Sequence, residues 1–276
     1  YRDLNAYARN LALKNFGNKI YIRGLIEIST YCKNNCFYCG LRSANKNIER
    51  TRLSKDEILS RVAHANSLGI KTIVLQGGED DFYSIDFLED LIGEIEEKYD
   101  LALTLSLGER SFEDLKALKD QGANRYLLRH ETSSKDHYYK LHPKSMDFDR
   151  RINTLFKLKD LGYQTGCGMM VGSPFQKLED LYRDLKFILK LQPQMVGLGP
   201  FIPHHDTPFK DYPAGDLGDV LKILSIVRIA NEKILLPATT ALRTIDYRCR
   251  VNGILAGCNV HMPNIGDEKL RQNYKL

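Results

Sequence analysis

The sequence predicts an α/β protein that folds as a closed (β/α)8 barrel in a single domain, and three observations support this fold class. Short apolar runs alternate with longer amphipathic stretches eight times, which is typical of parallel strands joined by helical crossovers. The length of 276 residues suits one barrel of this type. No linker or low-complexity run interrupts the alternation. An open, doubly wound sheet is the alternative, but eight units within about 250 residues favour closure.

The predicted strands are apolar runs bounded by Gly, Pro or Asn, and the segments between them have helical spacing. The eight strands are expected at residues 22–30, 72–76, 101–107, 125–130, 163–170, 194–199, 234–239 and 258–262. The helices are expected at residues 54–68, 84–98, from 111, from 147, from 178, at 216–231, and in a short segment ending at 256. Residues 1–19 are expected to form a helical lead-in, and residues 263–276 a terminal helix that closes the barrel.

Local signals support these helices. Ser54 with Glu57 three residues later is a capping box, and Gly69 ends the same helix. In residues 148–158 apolar side chains recur at helical spacing while charged ones occupy the other face, and Gly162 ends the helix.

Composition excludes several classes of protein. Hydrophobic residues make up 43% and charged residues 27% of the chain, which excludes long disorder and collagen-like sequence. No apolar run reaches the roughly 18 residues that a membrane-spanning helix needs. The net charge of +5 is spread along the chain, so nucleic-acid binding is not expected, whereas an anionic small molecule in a basic pocket is. No signal peptide is recognised, and a cytoplasmic location is expected.

The cysteines predict one metal site. Three of the six, Cys32, Cys36 and Cys39, fall within eight residues directly after the first predicted strand, and the others lie far apart. A secreted disulfide framework would be denser and shorter, so a reduced compartment is expected. Structural zinc normally needs four ligands, and the nearest other candidate, His64, falls inside a predicted helix. A four-iron cluster held by three thiolates would leave one iron open for a small molecule. A helical stripe of buried thiols is the alternative, but two Asn and one Gly in the segment favour a loop.

This CxxxCxxC run, with Tyr38 just before its last cysteine, resembles the radical S-adenosylmethionine (SAM) superfamily. The resemblance implies that the open iron is chelated by SAM and that one electron cleaves SAM to methionine and a 5′-deoxyadenosyl radical. Further segments narrow the resemblance to the HydE family of FeFe-hydrogenase maturases, RYLLRHET and LPATTA above all. The other segments are IRGLIEIS, NCFYCGLR, TIVLQGGED, LTLSLGE, GPFIPHHDTP and NVHMPN.

The resemblance also implies which residues bind SAM. Gln76, Gly77, Gly78 and Glu79 follow the second predicted strand, where glycines let backbone carbonyls approach an ammonium group. A plain βα turn is the alternative, and a P-loop is excluded because no Gly-Lys-Ser/Thr follows. The remaining predicted contacts are Glu131 with the ribose hydroxyls, Arg151 with the methionyl carboxylate, backbone near Tyr38 with adenine, and Ser106 and Met170.

Charged residues on the predicted strands point to a polar lumen. Arg23 and Glu27 share one face of the first strand, and Arg125, Arg129 and Glu131 share one face of the fourth. Buried charges must be paired or must bind something, so the alternatives are structural ion pairs and an anionic substrate. By resemblance the substrate residues are Arg23, Thr104, Arg129, Met195, Thr239, Thr240, Met262 and Tyr274.

Three histidines have weaker interpretations. His130 has the opposite parity to Arg129 and is expected to pack behind its strand. His204 and His205 sit in a Pro-flanked loop and could bind metal, but no third ligand is evident.

Two related activities and one unrelated class are alternatives. Biotin synthase needs a second cluster, but the third and fourth predicted strands lack cysteine and Cys167 is offset by one residue. Methylornithine synthase resembles the same barrel, yet the basic RYLLRHET strand suits an anionic, metal-bound substrate better. A non-enzymatic barrel with a structural metal is the third possibility.

The resemblance implies a substrate and partners. The substrate would be a cysteine-bound iron complex with carbonyl and cyanide ligands, supplied by the maturase HydG and attacked at the cysteine sulfur under anaerobic conditions. The product would pass to the scaffold HydF, and a reductant such as ferredoxin or flavodoxin would supply the electron. Neither nucleic acid nor membrane is an expected partner.

Overall fold

The computed structural model describes residues 2–239 and 249–266. Helices and parallel strands alternate along the chain, as the periodicity predicts. The helices are α1 Arg2–Phe16, α2 Lys55–Ser67, α3 Ile85–Lys98, α4 Phe112–Asp120, α5 Lys135–Leu141, α6 Phe148–Asp160, α7 Leu178–Leu191, α8 Leu217–Ala230 and α9 Cys249–Leu255. The strands are β1 Tyr21–Ile22, β2 Gly24–Ser29, β3 Thr72–Gly77, β4 Ala102–Ser106, β5 Arg125–Leu127, β6 Gln164–Val171, β7 Met195–Pro200 and β8 Val260–His261.

The strands pair in sequence order. β2 to β7 form a six-stranded parallel sheet in which each strand pairs with the next, and β1 pairs with β8 in a second parallel sheet. Isolated parallel bridges join Met195 to Leu235, Pro237 to Val260 and Leu25 to Asn264. The predicted α/β class and parallel sheet are confirmed, but the ladders among the described residues do not form one continuous eight-stranded sheet.

Several boundaries differ from the predictions. The predicted strand at 125–130 ends at Leu127, and beyond it Glu131 lies in the left-handed region (φ 63°) and makes an isolated bridge to Met169 of β6. Residues 234–239 make single bridges, since Pro237 has no N–H to donate to a ladder. The two-turn helix α5 was not predicted, because seven residues with buried His137 and Tyr138 show no apolar period.

The N-terminal helix packs on α8, and the segment after β8 pairs with β2. The helix α1 lies against α8, where the Ser225 hydroxyl is 2.9 Å from Asn5 Oδ1 and the Arg228 guanidinium lies 5.1 Å from the Phe16 ring centre. Residues 263–266 are not helical and contribute the bridge at Asn264. The rest of the predicted terminal helix lies outside the described residues.

The core lies between the sheet and the helices that cover it. Alternate strand residues such as Ile26, Ile73 and Leu103 are fully buried against α2 and α3, whose inward faces are also fully buried. The predicted capping box is confirmed: the Ser54 hydroxyl accepts from Glu57 N, and Glu57 Oε2 accepts from Ser54 N at 2.7 Å. Among the described helices, none has the length and apolar character needed to cross a membrane.

Candidate active site

The cysteine loop begins at the carboxyl end of β2 and is held by the buried carboxylate of Asp80 and by the partly exposed guanidinium of Arg50. The Asp80 carboxylate accepts from the Ser29 hydroxyl at 2.7 Å, from Arg52 Nε at 2.7 Å and from Arg52 Nη2 at 2.9 Å. The Arg50 guanidinium donates to four backbone carbonyls of this region, those of Thr30, Leu41, Arg42 and Asn45. These contacts fix the loop in place before any ligand binds. Neither Arg50 nor Asp80 was predicted, because an arginine and an aspartate in loops carry no distinctive spacing.

The three predicted cysteines are free thiols on this loop. Burial raises the pKa of the Cys36 thiol well above its usual range, and its neighbours Cys39 and Cys32 raise it further. Burial also raises the pKa of Cys39 to about 11. Burial and the two neighbouring cysteines therefore disfavour a thiolate at Cys36. A bound metal centre would reverse this effect, because thiols coordinated to a metal ion lose their protons.

The three cysteine sulfurs lack the compact spacing that a single zinc ion requires. Thiolates on one zinc ion, at about 2.3 Å each, would lie about 3.8 Å apart. In the described part of the chain, the one group of three metal-binding side chains with all ligand atoms within 4.8 Å of one another is His204, His205 and Asp206. The three cysteine sulfurs do not form such a compact group.

The predicted glycine segment after β3 lies directly against the cysteine loop. A Cβ atom added at Gly78 would lie 2.1 Å from the Tyr31 carbonyl oxygen and 2.6 Å from Cys32 Cβ. The backbone N–H of Lys33 donates to the Glu79 carbonyl at 2.9 Å. Glycine is therefore required at position 78 by the close approach of two backbones.

Arg151 reaches this segment from α6 and is held between two carboxylates. Its guanidinium is 3.1 Å from Glu79 Oε1 through Nη1 and 3.2 Å from Glu109 Oε1 through Nε, and the residue is buried. Burial alone would lower the pKa of Arg151, but Glu79 and Glu109 raise it, so the side chain stays cationic. A buried arginine fork beside the cysteines can bind a carboxylate bidentately.

Glu109 belongs to this arrangement but was not predicted. It also accepts from Arg150 at 3.2 Å, and burial raises its pKa. It follows Gly108, which has φ +77° and whose added Cβ would lie 1.8 Å from Glu79 Cγ. The signal that could have identified it was its place at the end of the segment LTLSLGE, directly after a strand.

The structure joins two residues that were expected to have separate roles. Arg129 donates to Glu131 through Nε at 2.8 Å and through Nη2 at 3.0 Å, and it also donates to the carbonyls of Met169 and Gly197. Burial would raise the pKa of Glu131, but Arg129 lowers it, and the net pKa lies below its usual value. The predicted ribose ligand and the predicted substrate arginine therefore form one ion pair.

Tyr38 lies in an aromatic cluster beside the cysteines. Its hydroxyl is 3.2 Å from His142 Nε2, and the His142 ring stacks on Tyr138 at 4.0 Å. Burial lowers the pKa of His142 to about 4, so this imidazole is neutral near pH 7. Cys36 Sγ lies 3.7 Å from Met146 Sδ. Met170 is buried beside Tyr38, while Ser106 and Gln76 sit in register on β4 and β3.

The predicted substrate residues do not all line one cavity. Arg23, Thr104 and Met195 line a small cavity of about 10 Å³, roughly the room of one water molecule, together with Arg125 and Gln164. Thr104 Oγ1 and Arg125 Nη1 are buried there without a hydrogen-bond partner, and Arg23 Nη1 is 3.0 Å from Met195 Sδ. Burial and Arg125 lower the pKa of Arg23 to about 10. Orphaned donors beside two arginines suit a small polar or anionic group.

The other predicted substrate residues lie elsewhere. The Thr239 hydroxyl donates to the Leu198 carbonyl at 3.1 Å, and Met262 is half-buried directly after β8. Thr240 and Tyr274 lie outside the described residues.

The histidines outside the loop have distinct surroundings. His130 is fully buried behind the sheet, with Nε2 3.7 Å from Asp184 Oδ1 and its ring 4.8 Å from Phe187. His204 and His205 stack at 4.4 Å, and Asp206 is the third polar side chain beside them that the sequence did not identify.

Comparison with known proteins places these features in a family. Residues 26–188 match the model of the Radical SAM superfamily. The chain is 45% identical over 269 residues to the [FeFe] hydrogenase maturase subunit HydE of Thermotoga maritima. This alignment covers 98% of this chain and 77% of that protein. The chain is 31% identical over 255 residues to 3-methylornithine synthase of Methanosarcina acetivorans, and the alignment covers 92% of this chain and 71% of that protein. The crystal structure of methylornithine synthase (PylB) matches with a TM-score of 0.86 at 27% identity, covering 95% of this chain and 77% of that one.

Proposed function

Because the chain belongs to the radical SAM superfamily and, within it, to the HydE family of [FeFe] hydrogenase maturases, we propose that it cleaves SAM reductively during assembly of the hydrogenase di-iron site. The observation that carries the proposal is the set of three free thiols on one loop, packed against Gly78 and next to the buried Arg151. The cofactors would be a four-iron cluster held by Cys32, Cys36 and Cys39, and SAM. When bound, the cluster would supply the electron that converts SAM to methionine and a 5′-deoxyadenosyl radical.

The residues around the cysteines would bind and orient SAM. Arg151 would exchange part of its pairing with Glu79 and Glu109 for the SAM carboxylate, and those two carboxylates would then be free to accept from the SAM ammonium group. Glu131 would accept from the ribose hydroxyls while Arg129 holds it in one orientation. The backbone at Tyr38 would contact adenine, with Gln76, Gly77, Ser106 and Met170 completing the predicted set.

The substrate would bind deeper, between the strands. Arg23, Thr104 and Met195 line a cavity with unpartnered donors that holds about one water molecule, so it would take one small polar or anionic group of the substrate rather than the whole molecule. We propose a cysteine-bound iron complex with carbonyl and cyanide ligands, attacked at the cysteine sulfur, with Arg129, Thr239, Thr240, Met262 and Tyr274 as further contacts. A single-domain, closed eight-stranded barrel would exclude water from the radical, and the bridges beyond β7 support that closure.

The partners and location of the protein are part of the same proposal. HydG would supply the substrate, HydF would receive the product, and a ferredoxin or flavodoxin would supply the electron. Reduced thiols and an oxygen-sensitive cofactor suit the cytoplasm of an anaerobic cell.

A methylornithine synthase activity is the second candidate, because such an enzyme gives the TM-score of 0.86. A biotin synthase-like second cluster is less well supported, since Cys167 is fully buried in the sheet and β4 and β5 contain no cysteine.

Anaerobic reconstitution tests the proposal. We expect four irons and four sulfides per chain and, with dithionite, release of 5′-deoxyadenosine from SAM. Incubation with the cysteine-bound iron complex or with lysine then separates the two candidates, because only the true substrate accelerates SAM cleavage. A colourless protein that binds one zinc ion and has no SAM affinity would refute the radical mechanism and favour a structural metal.

A further inference from the structure

Four aromatic rings connect the molecular surface to the cysteine loop. Phe175, in the loop after β6, is 47% exposed, and Tyr212, in the loop after β7, is 36% exposed. The Phe175 ring centre is 6.1 Å from that of Phe209, which in turn is 6.1 Å from that of Phe37, the residue that follows Cys36. We call Phe37, Phe175, Phe209 and Tyr212 the aromatic patch.

The exposure of Phe175 is not explained by the packing of the chain. Its backbone lies in the left-handed region at φ 66°, which is unfavourable for a residue with a bulky side chain. The ring contacts Tyr212 at 5.5 Å but remains half open to solvent. An unfavourable backbone that leaves a large aromatic side chain exposed is a feature of binding surfaces rather than of cores.

Two cationic groups contact the aromatic patch. Lys140 Nζ lies 5.8 Å from the Phe175 ring centre, and the Arg42 guanidinium lies 6.0 Å from that of Phe37. Lys177 and Lys210, which are exposed, flank Phe175 and Phe209 in sequence. Carboxylates lie in the same segments at Glu179, Asp180, Asp206 and Asp211, but the rings of the aromatic patch are contacted by the cationic groups of Lys140 and Arg42. These two contacts favour a partner with negative charge at its contact face.

We propose that the aromatic patch is the docking surface for a small acidic one-electron carrier protein. The inference rests on the proposed function, because only an enzyme that uses a reduced cluster at these cysteines needs such a donor. Aromatic and arginine side chains are the usual anchors at the centre of an interface, and redox encounters use small interfaces. One electron passes from the reduced carrier, which is oxidised by one unit, to the cluster, which is reduced by one unit, and no atom or proton moves.

Charge reversal and truncation on the aromatic patch test the proposal. Lys140→Glu and Phe175→Ala are compared with Lys71→Glu, a matched exposed lysine that precedes β3 at the opposite end of the sheet. The rate of 5′-deoxyadenosine formation is measured with an acidic [4Fe–4S] ferredoxin as donor and, separately, with dithionite. We expect kcat/KM for ferredoxin to fall at least about fivefold at low salt in both patch variants and to stay within about twofold for Lys71→Glu. The rates with dithionite are expected to stay unchanged.

A binding measurement is independent of the loaded enzyme. Ferredoxin is titrated into the cluster-free protein by isothermal calorimetry, and weaker binding is expected for both patch variants but not for Lys71→Glu. Equal losses with ferredoxin and with dithionite, or no loss with ferredoxin, would overturn the proposal. A concentration-dependent dimer that Phe175→Ala abolishes would also overturn it, because the occupant would then be a second copy of this chain. Absence of 5′-deoxyadenosine with dithionite in the unaltered protein would instead refute the proposed function, while the calorimetry would still decide whether the carrier binds here.

Discussion

Substitution of Gly78 by alanine should separate cluster binding from folding. The added Cβ would lie 2.1 Å from the Tyr31 carbonyl oxygen, whereas real Cβ contacts are essentially never shorter than 3.0 Å. The oxygen or the β3 end must therefore move by about 0.9 Å, and the obstacle is backbone rather than a flexible side-chain tip. Metal sites tolerate errors in ligand distance of only about 0.2 Å, so a shift of this size next to Cys32 should displace a cluster ligand. Overpacking of this kind costs about 1–3 kcal/mol of stability, which a protein of this size can tolerate.

The assay compares Gly78→Ala with Gly77→Ala after anaerobic reconstitution. At Gly77 the nearest atoms to an added Cβ lie 3.5 Å away, an ordinary contact, so that variant is expected to keep its iron content and melting temperature. For Gly78→Ala we expect iron and sulfide per chain to fall by more than half while the apoprotein still melts cooperatively. Full iron content together with normal SAM cleavage in Gly78→Ala would show that the two backbones are not constrained as the structure describes.

Three further predictions concern ionisable side chains of the site. Arg151→Lys keeps the charge but loses the fork, so SAM should bind about tenfold more weakly at unchanged iron content; unaltered affinity in equilibrium binding would contradict the carboxylate role. Arg129→Ala leaves the Glu131 carboxylate without its partner and should cost about 1–3 kcal/mol in urea unfolding of the apoprotein, because the Arg129 side chain is 33% exposed and water reaches the pair. The double variant with Glu131→Gln should recover part of that loss, and additive losses would argue against the pair. Because the pKa of His142 is about 4 when folded and 6.5 when unfolded, the unfolded chain takes up the proton first, and about 3 kcal/mol of stability should be lost as pH falls from 6.5 to 4. Thermal melts of His142→Gln should show a flatter pH dependence, and an unchanged slope would disprove the assignment.

The site was predictable from sequence wherever its residues follow strands or form a motif. The cysteine run, the glycine segment after β3, and Glu131 and Arg151 all lie at the carboxyl end of the sheet, because parallel strands bring the loops that follow them to one edge. Glu109 and Asp80 were missed because their importance depends on contacts across 28 or more residues of sequence. Arg50 was missed because its partners are backbone carbonyls of a folded loop, which no side-chain pattern identifies.

The alternation of side chains along a strand could not predict which charged groups form ion pairs. Side-chain parity placed Arg129 and Glu131 on the same face of an extended strand, but it could not show that Glu131 would adopt a left-handed backbone beyond the strand end or that the two side chains would form a bidentate pair. The same limit applies to the substrate set, in which Arg23, Thr104 and Met195 share a cavity and Arg129 does not line it.

The amino-acid sequence by itself determined the order of strands and helices, the helix caps and the three-cysteine loop, because hydrophobic period, capping residues and ligand spacing are local properties of the chain. Only the tertiary structure decided which charge faces which. The partners of Arg151, the restraint on the cysteine loop by Arg50 and Asp80, and the cationic aromatic patch arise where loops from different βα units meet. Coulomb energies and desolvation depend on distances between such loops, and no local pattern in the sequence encodes those distances.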